Sequence, residues 1–410
     1  MEKVKVLHII TRLILGGAQE NTLYTVEGLM KDPAYDVTLA SGPTTGPEGS
    51  LVSKAKESGV NLVTINGLTR NINPFRDISA FLSLYKLIRM NDFDIVHTHS
   101  SKAGIIGRLA AKLAGRSVII HTIHGLPFHP YQSRFLNFLY IRLERLAGKY
   151  TDKIITVCEN MAQKAQAADV KPVYGYVTVY SGMDLGKFID EKTSSRQAKR
   201  NIGLPVDAKV VGKVARLFPL KGYEYFISAS KYISECVQNV YFLIVGDGIL
   251  RGQLEEMVRQ MGLKDRFIFA GLVPHDDVPR FIAAMDVVVH TSLREGLARV
   301  IPQAMAMSKP VVSFDIDGAR ELVHKGYTGY LVRPKDTKGL SDRVIDLLNN
   351  AEKAEKMGIN GKKLVDPAFR IETMIDKIKG IYDNLITKKI KFEARSTKYE
   401  TISNDQSTND

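Results

Sequence analysis

The sequence predicts an α/β protein made of two doubly wound parallel-sheet domains, and three observations carry that reading. Short apolar runs alternate with stretches of helical spacing from Val4 onward, the order expected of a parallel sheet covered by helices on both faces. The same alternation restarts near Ala208, after a polar segment punctuated by Pro and Gly. At 410 residues the chain is long for one domain and suits two.

The elements follow in order. Val4–Ile10 is a short apolar strand, followed by the loop Thr11–Gly17 and a helix to about Met30. Strands are expected at Asp36–Ser41 and Asn61–Ile65, a helix at Phe75–Met90, then strands at Asp94–His99, Ser117–His124 and Lys153–Cys158. Asp184–Pro205 is polar and charged and reads as the linker. Beyond it, strands are expected at 209–215, 240–245, 266–270, 286–291, 310–314 and 329–332. The last ordered element is a helix over Phe369–Lys388; Lys389–Asp410 is Ser/Thr/Asn-rich and expected to be disordered. The predicted division is therefore 1–185, 186–368, a crossover helix at 369–388 and a tail at 389–410.

Composition narrows the function classes. Apolar residues at 44% and charged residues at 25% are ordinary for a globular protein. Cys158 and Cys236 lack metal or redox spacing and read as buried small residues of a reducing compartment. No apolar run reaches the ~18 residues of a membrane span, and no secretory segment opens the chain, so a cytoplasmic location is expected. The net charge of +13 is spread over both halves, which argues against a nucleic-acid surface. It suits anionic nucleotide substrates or an anionic membrane face, with ordinary solubilising charge as the plain alternative.

The most informative stretch is Glu295-Gly-Leu-Ala-Arg-Val-Ile-Pro-Gln303, which reads as a loop and helix between two apolar strands. Strand-end loops of open α/β sheets are where ligands bind. Arg216 and Lys221 bracket another such turn, where positive charge opposes the dipole of the following helix and so needs a reason other than helix stability. Two cations beside a hydroxyl-binding carboxylate suit a nucleoside diphosphate carrying a sugar. Gly16-Gly17 follows the first strand and opens a helix whose N-terminus favours an anion; a tight turn is the alternative, and the dinucleotide spacing is absent. Gly246-Asp-Gly248 ends a strong strand, and the next strand runs into Gly271-Leu-Val273.

His97, His99, His121 and His124 end two neighbouring strands. A metal site is the sharp reading; without evident acidic partners no metal is assigned, and His97, His99 and His121 read as structural. Tyr131–Tyr150 mixes aromatic and aliphatic residues with Arg134, Arg142, Arg145 and Lys149. It reads either as a basic amphipathic helix for anionic lipid or as a core helix.

Taken together, Gly16-Gly17, Arg216/Lys221, Gly246-Asp-Gly248 and Glu295/Gln303 resemble the retaining, nucleotide-sugar-dependent glycosyltransferases of the GT-B fold, family 4-like and of group 1. The resemblance covers Val4 to about Lys388 and implies two Rossmann-like domains facing across a cleft, acceptor-binding first and donor-binding second. It implies that Arg216 and Lys221 hold the diphosphate and that Gly16-Gly17 faces it. It also implies that Glu295 contacts the transferred sugar and that His124 lies near the sugar and acceptor. Gly246, Gly248, Gly271 and Val273 would surround the base. Gln303 stands where the family's second glutamate binds ribose; it keeps an acceptor and loses the charge. Asp317-Gly-Ala-Arg-Glu321 is expected to cap a helix near the sugar.

The implied reaction moves a sugar, from a UDP-sugar by analogy, to a hydroxyl of a glycan or lipid-linked acceptor. It would serve envelope or capsular polysaccharide synthesis at the inner face of the membrane, without cofactor or divalent metal. A nucleotide-binding protein without activity and a sugar-nucleotide epimerase are the alternatives.

Overall fold

The computed structural model describes residues 2–44, 49–115 and 118–407, with the backbone alone from 392 onward. The chain forms two compact units, Met1–Gly182 with Ile371–Asp410, and Met183–Arg370.

The first unit holds β1 (Val4–Ile10), β2 (Tyr35–Ser41), β3 (Asn61–Thr64), β4 (Ile95–His99), β5 (Val118–Ile123), β6 (Lys153–Thr156) and β7 (Tyr176–Thr178). They form one parallel sheet in the order β3-β2-β1-β4-β5-β6-β7. Successive side chains on a strand point to opposite faces. Val6 and Ile10 of β1 accordingly pack with Met374, Ile378 and Tyr382 of the C-terminal helix, whereas Leu7 and Ile9 pack with Ala80, Leu84 and Ala110 on the other face. Lys379 pairs with Asp32 at 2.7 Å, and the Tyr35 hydroxyl donates to Asp383 at 3.2 Å, fastening that helix to the sheet it covers.

The second unit holds β8 (Lys209–Val214), β9 (Val240–Val245), β10 (Phe267–Gly271), β11 (Val287–His290), β12 (Val311–Phe314) and β13 (Gly329–Val332), again parallel, in the order β10-β9-β8-β11-β12-β13. The strand order of each sheet reverses once, between β1 and β4 and between β8 and β11. The crevice beyond the strand ends at such a reversal is the natural ligand position of an open α/β sheet.

Four features depart from the sequence reading. β7 is additional: three half-buried residues at a sheet edge are too few for a periodic signal. The segment 184–205 is folded into the second unit rather than serving as a linker. Phe188 and Ala198 are buried there, and Lys199 pairs with Asp286 at 2.9 Å. The last helix is Ile371–Ser407, so most of the expected disordered tail 389–410 is helical, while 408–410 and the expected strand start at Ser117 lie outside the described residues. No Gly or Pro interrupts 381–407, and extending a formed helix needs no new nucleus. Cys158 is buried as expected, but Cys236 is exposed, ending the helix Tyr223–Cys236 away from its buried Phe226, Ile227 and Ile233.

Candidate active site

At the β8/β11 reversal, two loops are laced together. Gly222 has φ 65°, and a Cβ there would lie 1.9 Å from the Thr291 carbonyl oxygen, so only glycine lets the loop after β8 lie against the end of β11. Thr291 Oγ1 donates to the Gly222 carbonyl at 2.7 Å, and the Leu293 amide donates to the Leu220 carbonyl at 2.8 Å. This lacing brings the Lys221 ammonium onto the Glu295 carboxylate. The Glu295 amide donates to Asp317 Oδ2 at 2.9 Å, and His290 Nε2 lies 3.9 Å from Glu295 Oε1. Burial works against the Glu295 charge, but Lys221 and His290 overcome it and hold the carboxyl well below the usual carboxylate range. Both partners keep about a fifth of their side-chain surface exposed, so the pair remains open to a ligand.

Beneath it lies Lys213, whose Nζ donates to Thr291 Oγ1 at 2.8 Å and sits over the Tyr223 ring at 4.9 Å. Burial, with Lys221 adding, lowers this ammonium to about 7. His290 is lowered by burial as well, against the pull of Glu295. Neither Lys213 nor His290 was singled out from sequence. A lysine inside the apolar run of β8 was the available signal for the first. Asp317 was expected to cap its own helix; the helix Ala319–Leu322 has no side-chain cap, and the carboxylate holds Glu295 instead.

Arg216 is exposed on the same loop as Lys221, its guanidinium 5.1 Å from the centre of the Phe218 ring. The Gly-Asp-Gly turn supports it. Gly246 has φ 134°, and a Cβ there would lie 2.1 Å from the Ala215 carbonyl; one on Gly248 would lie 2.5 Å from that of Leu217. The Leu217 amide donates to the Asp247 carbonyl at 2.9 Å. These glycines therefore have a scaffold role that accounts for them without a ligand. Gly271 is bonded to the Gly246 amide at 2.9 Å, and Val273 lies half-buried beyond it. Gln303 is buried on the short helix Val300–Ala306.

In the first unit, Gly16 precedes the helix Gly17–Met30, whose N-terminus has no side-chain cap. At the strand ends the register does what sequence spacing could not show. His8 of β1 lies opposite His97 of β4, and His99 lies opposite Thr122 of β5. With period-2 alternation, His8, His97, His99, Thr122 and His124 face one side of the sheet and His121 the other, where it bonds Thr98. His8, the fifth histidine of the group, went unremarked in the sequence because nothing local links it to residues about 90 positions away. Ligand nitrogens of His8, His97 and His99 lie within 4.8 Å of one another, yet every nitrogen of these three rings is engaged in a hydrogen bond to another side chain.

Burial depresses all five imidazoles: His8 to about 3, His124 to about 4, and His97, His99 and His121 well below their ordinary value of 6.5. The unfolded chain therefore binds more protons than the native one as pH falls below 6.5, so native stability present above that value is lost towards pH 4. Each imidazole contributes up to about 1.4 kcal/mol per pH unit in that window. Urea midpoints for the first unit should fall steeply between pH 6.5 and 4.5; a flat profile there would refute the buried neutral state.

The helix Arg134–Gly148 turns much of its apolar side outward, with Phe135 77% and Phe138 55% exposed, Arg142 stacked on Phe138 and Arg145 bonded to the Ala168 carbonyl. It is not a core helix. Among the described residues, no helix is long and apolar enough to cross a membrane.

Comparison with known proteins places the chain in a family. Residues 15–186 match the model of Glycosyltransferase Family 4, and residues 194–364 match that of Glycosyl transferases group 1. The chain is 31% identical over 397 residues to the UDP-Gal:alpha-D-GlcNAc-diphosphoundecaprenol alpha-1,3-galactosyltransferase of Escherichia coli, covering 94% of this chain and 98% of that one. It is 26% identical over 325 residues to the capsular polysaccharide biosynthesis glycosyltransferase CapM of Staphylococcus aureus, covering 78% of this chain and 84% of that one. Anabaena HepE, crystallised with UDP and glucose, superposes with a TM-score of 0.79 at 20% identity, covering 93% of this chain and all of that one. With both domain models matched and a relative aligned over nearly its whole length, the chain belongs to the group 1, family 4 glycosyltransferases and has the GT-B fold.

Proposed function

We propose that the protein transfers a hexosyl group from a UDP-sugar to a hydroxyl of a lipid-linked or glycan acceptor, with retention of anomeric configuration, in the assembly of an envelope or capsular polysaccharide. The observation that carries this reading is the Lys221–Glu295 pair at the β8/β11 reversal, with Arg216 on the same loop. An ammonium has three donors, and one directed at Glu295 leaves two for phosphate oxygens. Glu295, held ionised, accepts hydrogen bonds from sugar hydroxyls. The choice of donor and acceptor is supported by the Escherichia coli relative, whose name gives a UDP-sugar donor and a diphosphoundecaprenol-linked acceptor.

In the proposed step the bond from the anomeric carbon to the diphosphate breaks as the acceptor oxygen bonds to the same face, and the acceptor proton passes to the departing diphosphate. Arg216 and Lys221 offset the charge that develops there, so no divalent metal or other cofactor enters the proposal. Gly16-Gly17 serves the diphosphate, Gly271 and Val273 the base, Gln303 the ribose and His124 the sugar or acceptor hydroxyl. The protein works from the cytoplasmic side of a membrane, with the exposed apolar and basic helix Arg134–Gly148 touching anionic lipid.

Thermal stability against UDP, GDP and ADP tests the donor site. A ligand at about 100 times its dissociation constant adds about 2.7 kcal/mol. UDP should give the large shift, and Arg216→Ala should abolish most of it. No shift with any diphosphate would remove the donor-site assignment. A β-linked first product from an α-linked donor would exclude retention, and diphosphate binding without transfer would exclude the catalytic reading.

A further inference from the structure

We propose that Tyr382, on the C-terminal helix, is a positioning residue. Through His8 and His99 its hydroxyl determines which nitrogen of His124 carries the proton, and leaves Nδ1 as the bare acceptor. The proposal rests on the reading of His124 as an active-site residue and adds a control for it.

A single file of hydrogen bonds joins these groups. Thr122 Oγ1 meets His97 Nε2 at 2.7 Å, and His97 Nδ1 meets the Tyr382 hydroxyl at 2.6 Å. That hydroxyl meets His8 Nε2 at 3.3 Å, His8 Nδ1 meets His99 Nε2 at 2.9 Å, and His99 Nδ1 meets His124 Nε2 at 3.1 Å. Tyr382, His8 and His97 are fully buried, and His99 nearly so, so water does not substitute for a lost partner. A neutral imidazole donates through one nitrogen and accepts through the other, so each ring passes the direction of the file to the next. One bond then decides all the others.

The deciding bond is at Tyr382. O–H donors make the shorter class of hydrogen bond, near 2.7 Å, and N–H donors the longer one. With 2.6 Å to His97 and 3.3 Å to His8, the phenol donates to His97 Nδ1 and accepts from His8 Nε2–H. His97 Nε2–H then donates to Thr122 Oγ1. His8 Nδ1 accepts from His99 Nε2–H, and His99 Nδ1 accepts from His124 Nε2–H. His124 Nδ1, which has no hydrogen-bond partner among the described residues, is left with a lone pair for a donor or acceptor hydroxyl. If the file ran the other way, that nitrogen would carry a proton and the same hydroxyl would meet a donor. The sequence interval of 258 residues between His124 and Tyr382 is closed by the return of the C-terminal helix onto this sheet.

Histidine-selective 15N labelling of the full chain, with His124 assigned by its loss in His124→Asn, reads the protonated nitrogen directly. Wild type should show His124 protonated at Nε2. Tyr382→Phe keeps the ring that packs edge-on to Tyr35 and removes only the hydroxyl. Its His124 shifts should move towards each other as both tautomers become populated. Its kcat should fall by about tenfold, with donor KM within about twofold, because a misdirected proton affects the reacting geometry more than donor affinity. If that variant does not fold, Thr122→Val opens the opposite end with little change of shape. His97 then moves its proton to Nδ1, the phenol turns to His8, and His124 gains its proton at Nδ1. Nδ1 protonation in wild type, or an unchanged His124 pattern in a folded variant, overturns the relay. A changed tautomer with unaltered transfer leaves the relay standing and removes His124 from the active site.

Discussion

Lys221→Met is expected to lower kcat/KM by about 10²–10³-fold, the range found when one group that stabilises transition-state charge is removed. Most of the loss should fall on kcat, because in the proposed reaction the negative charge that Lys221 meets grows as the bond to the diphosphate breaks. The substitution also leaves Glu295 without its cation. The pair keeps about a fifth of its surface in solvent, so the stability loss should be about 2 kcal/mol, less than for a fully enclosed pair. In a unit of this size that is a fall of about 4–8 °C in the melting temperature. Lys221→Arg should restore most of the melting temperature but only part of the rate, since a planar guanidinium does not reproduce the compact ammonium. Steady-state kinetics at saturating acceptor decide the matter: a kcat within about threefold of wild type would mean that Lys221 does not face the leaving group.

Glu295→Gln should cost about 10²-fold in kcat/KM by a separable route. The amide keeps the shape and one acceptor oxygen but loses the charge that strengthens bonds from sugar hydroxyls. Calorimetry should then show UDP binding within about threefold of wild type and UDP-sugar binding clearly weaker, because in the proposed reaction Glu295 serves the sugar and not the diphosphate. Equal losses for both ligands would put Glu295 at the phosphates and undo its assigned role. In wild type the carboxyl is held well below its usual range, so acid inactivation at pH 5 should not come from protonation of Glu295.

How much of this was readable depended on the range of the interaction concerned. The strands of both sheets carry their own signal, because a fully buried parallel strand is a short apolar run whatever surrounds it. β7 does not, since three half-buried edge residues have neither length nor apolarity. The loops bearing Arg216, Lys221 and Glu295 stood out because charge directly after an apolar strand is conspicuous locally. Their roles came from resemblance. The contact between Lys221 and Glu295 came from the fold, as did the part of Asp317, which holds the Glu295 amide rather than its own helix. Gly246 and Gly248 were noticed for their glycine content, but their nearest neighbours are the carbonyls of Ala215 and Leu217, about 30 residues earlier.

By itself the sequence determined that the chain is two parallel-sheet α/β domains with cationic and carboxylate strand-end loops in the second. These features follow from backbone period and from residue types adjacent in the chain. Only the tertiary structure decided that Lys221 meets Glu295, that Lys213 lies buried beneath them, and that four imidazoles and Tyr382 form one hydrogen-bonded file. The reason is physical: a parallel sheet sets side by side residues that are far apart in sequence, and its strand order and register select which of them share a face.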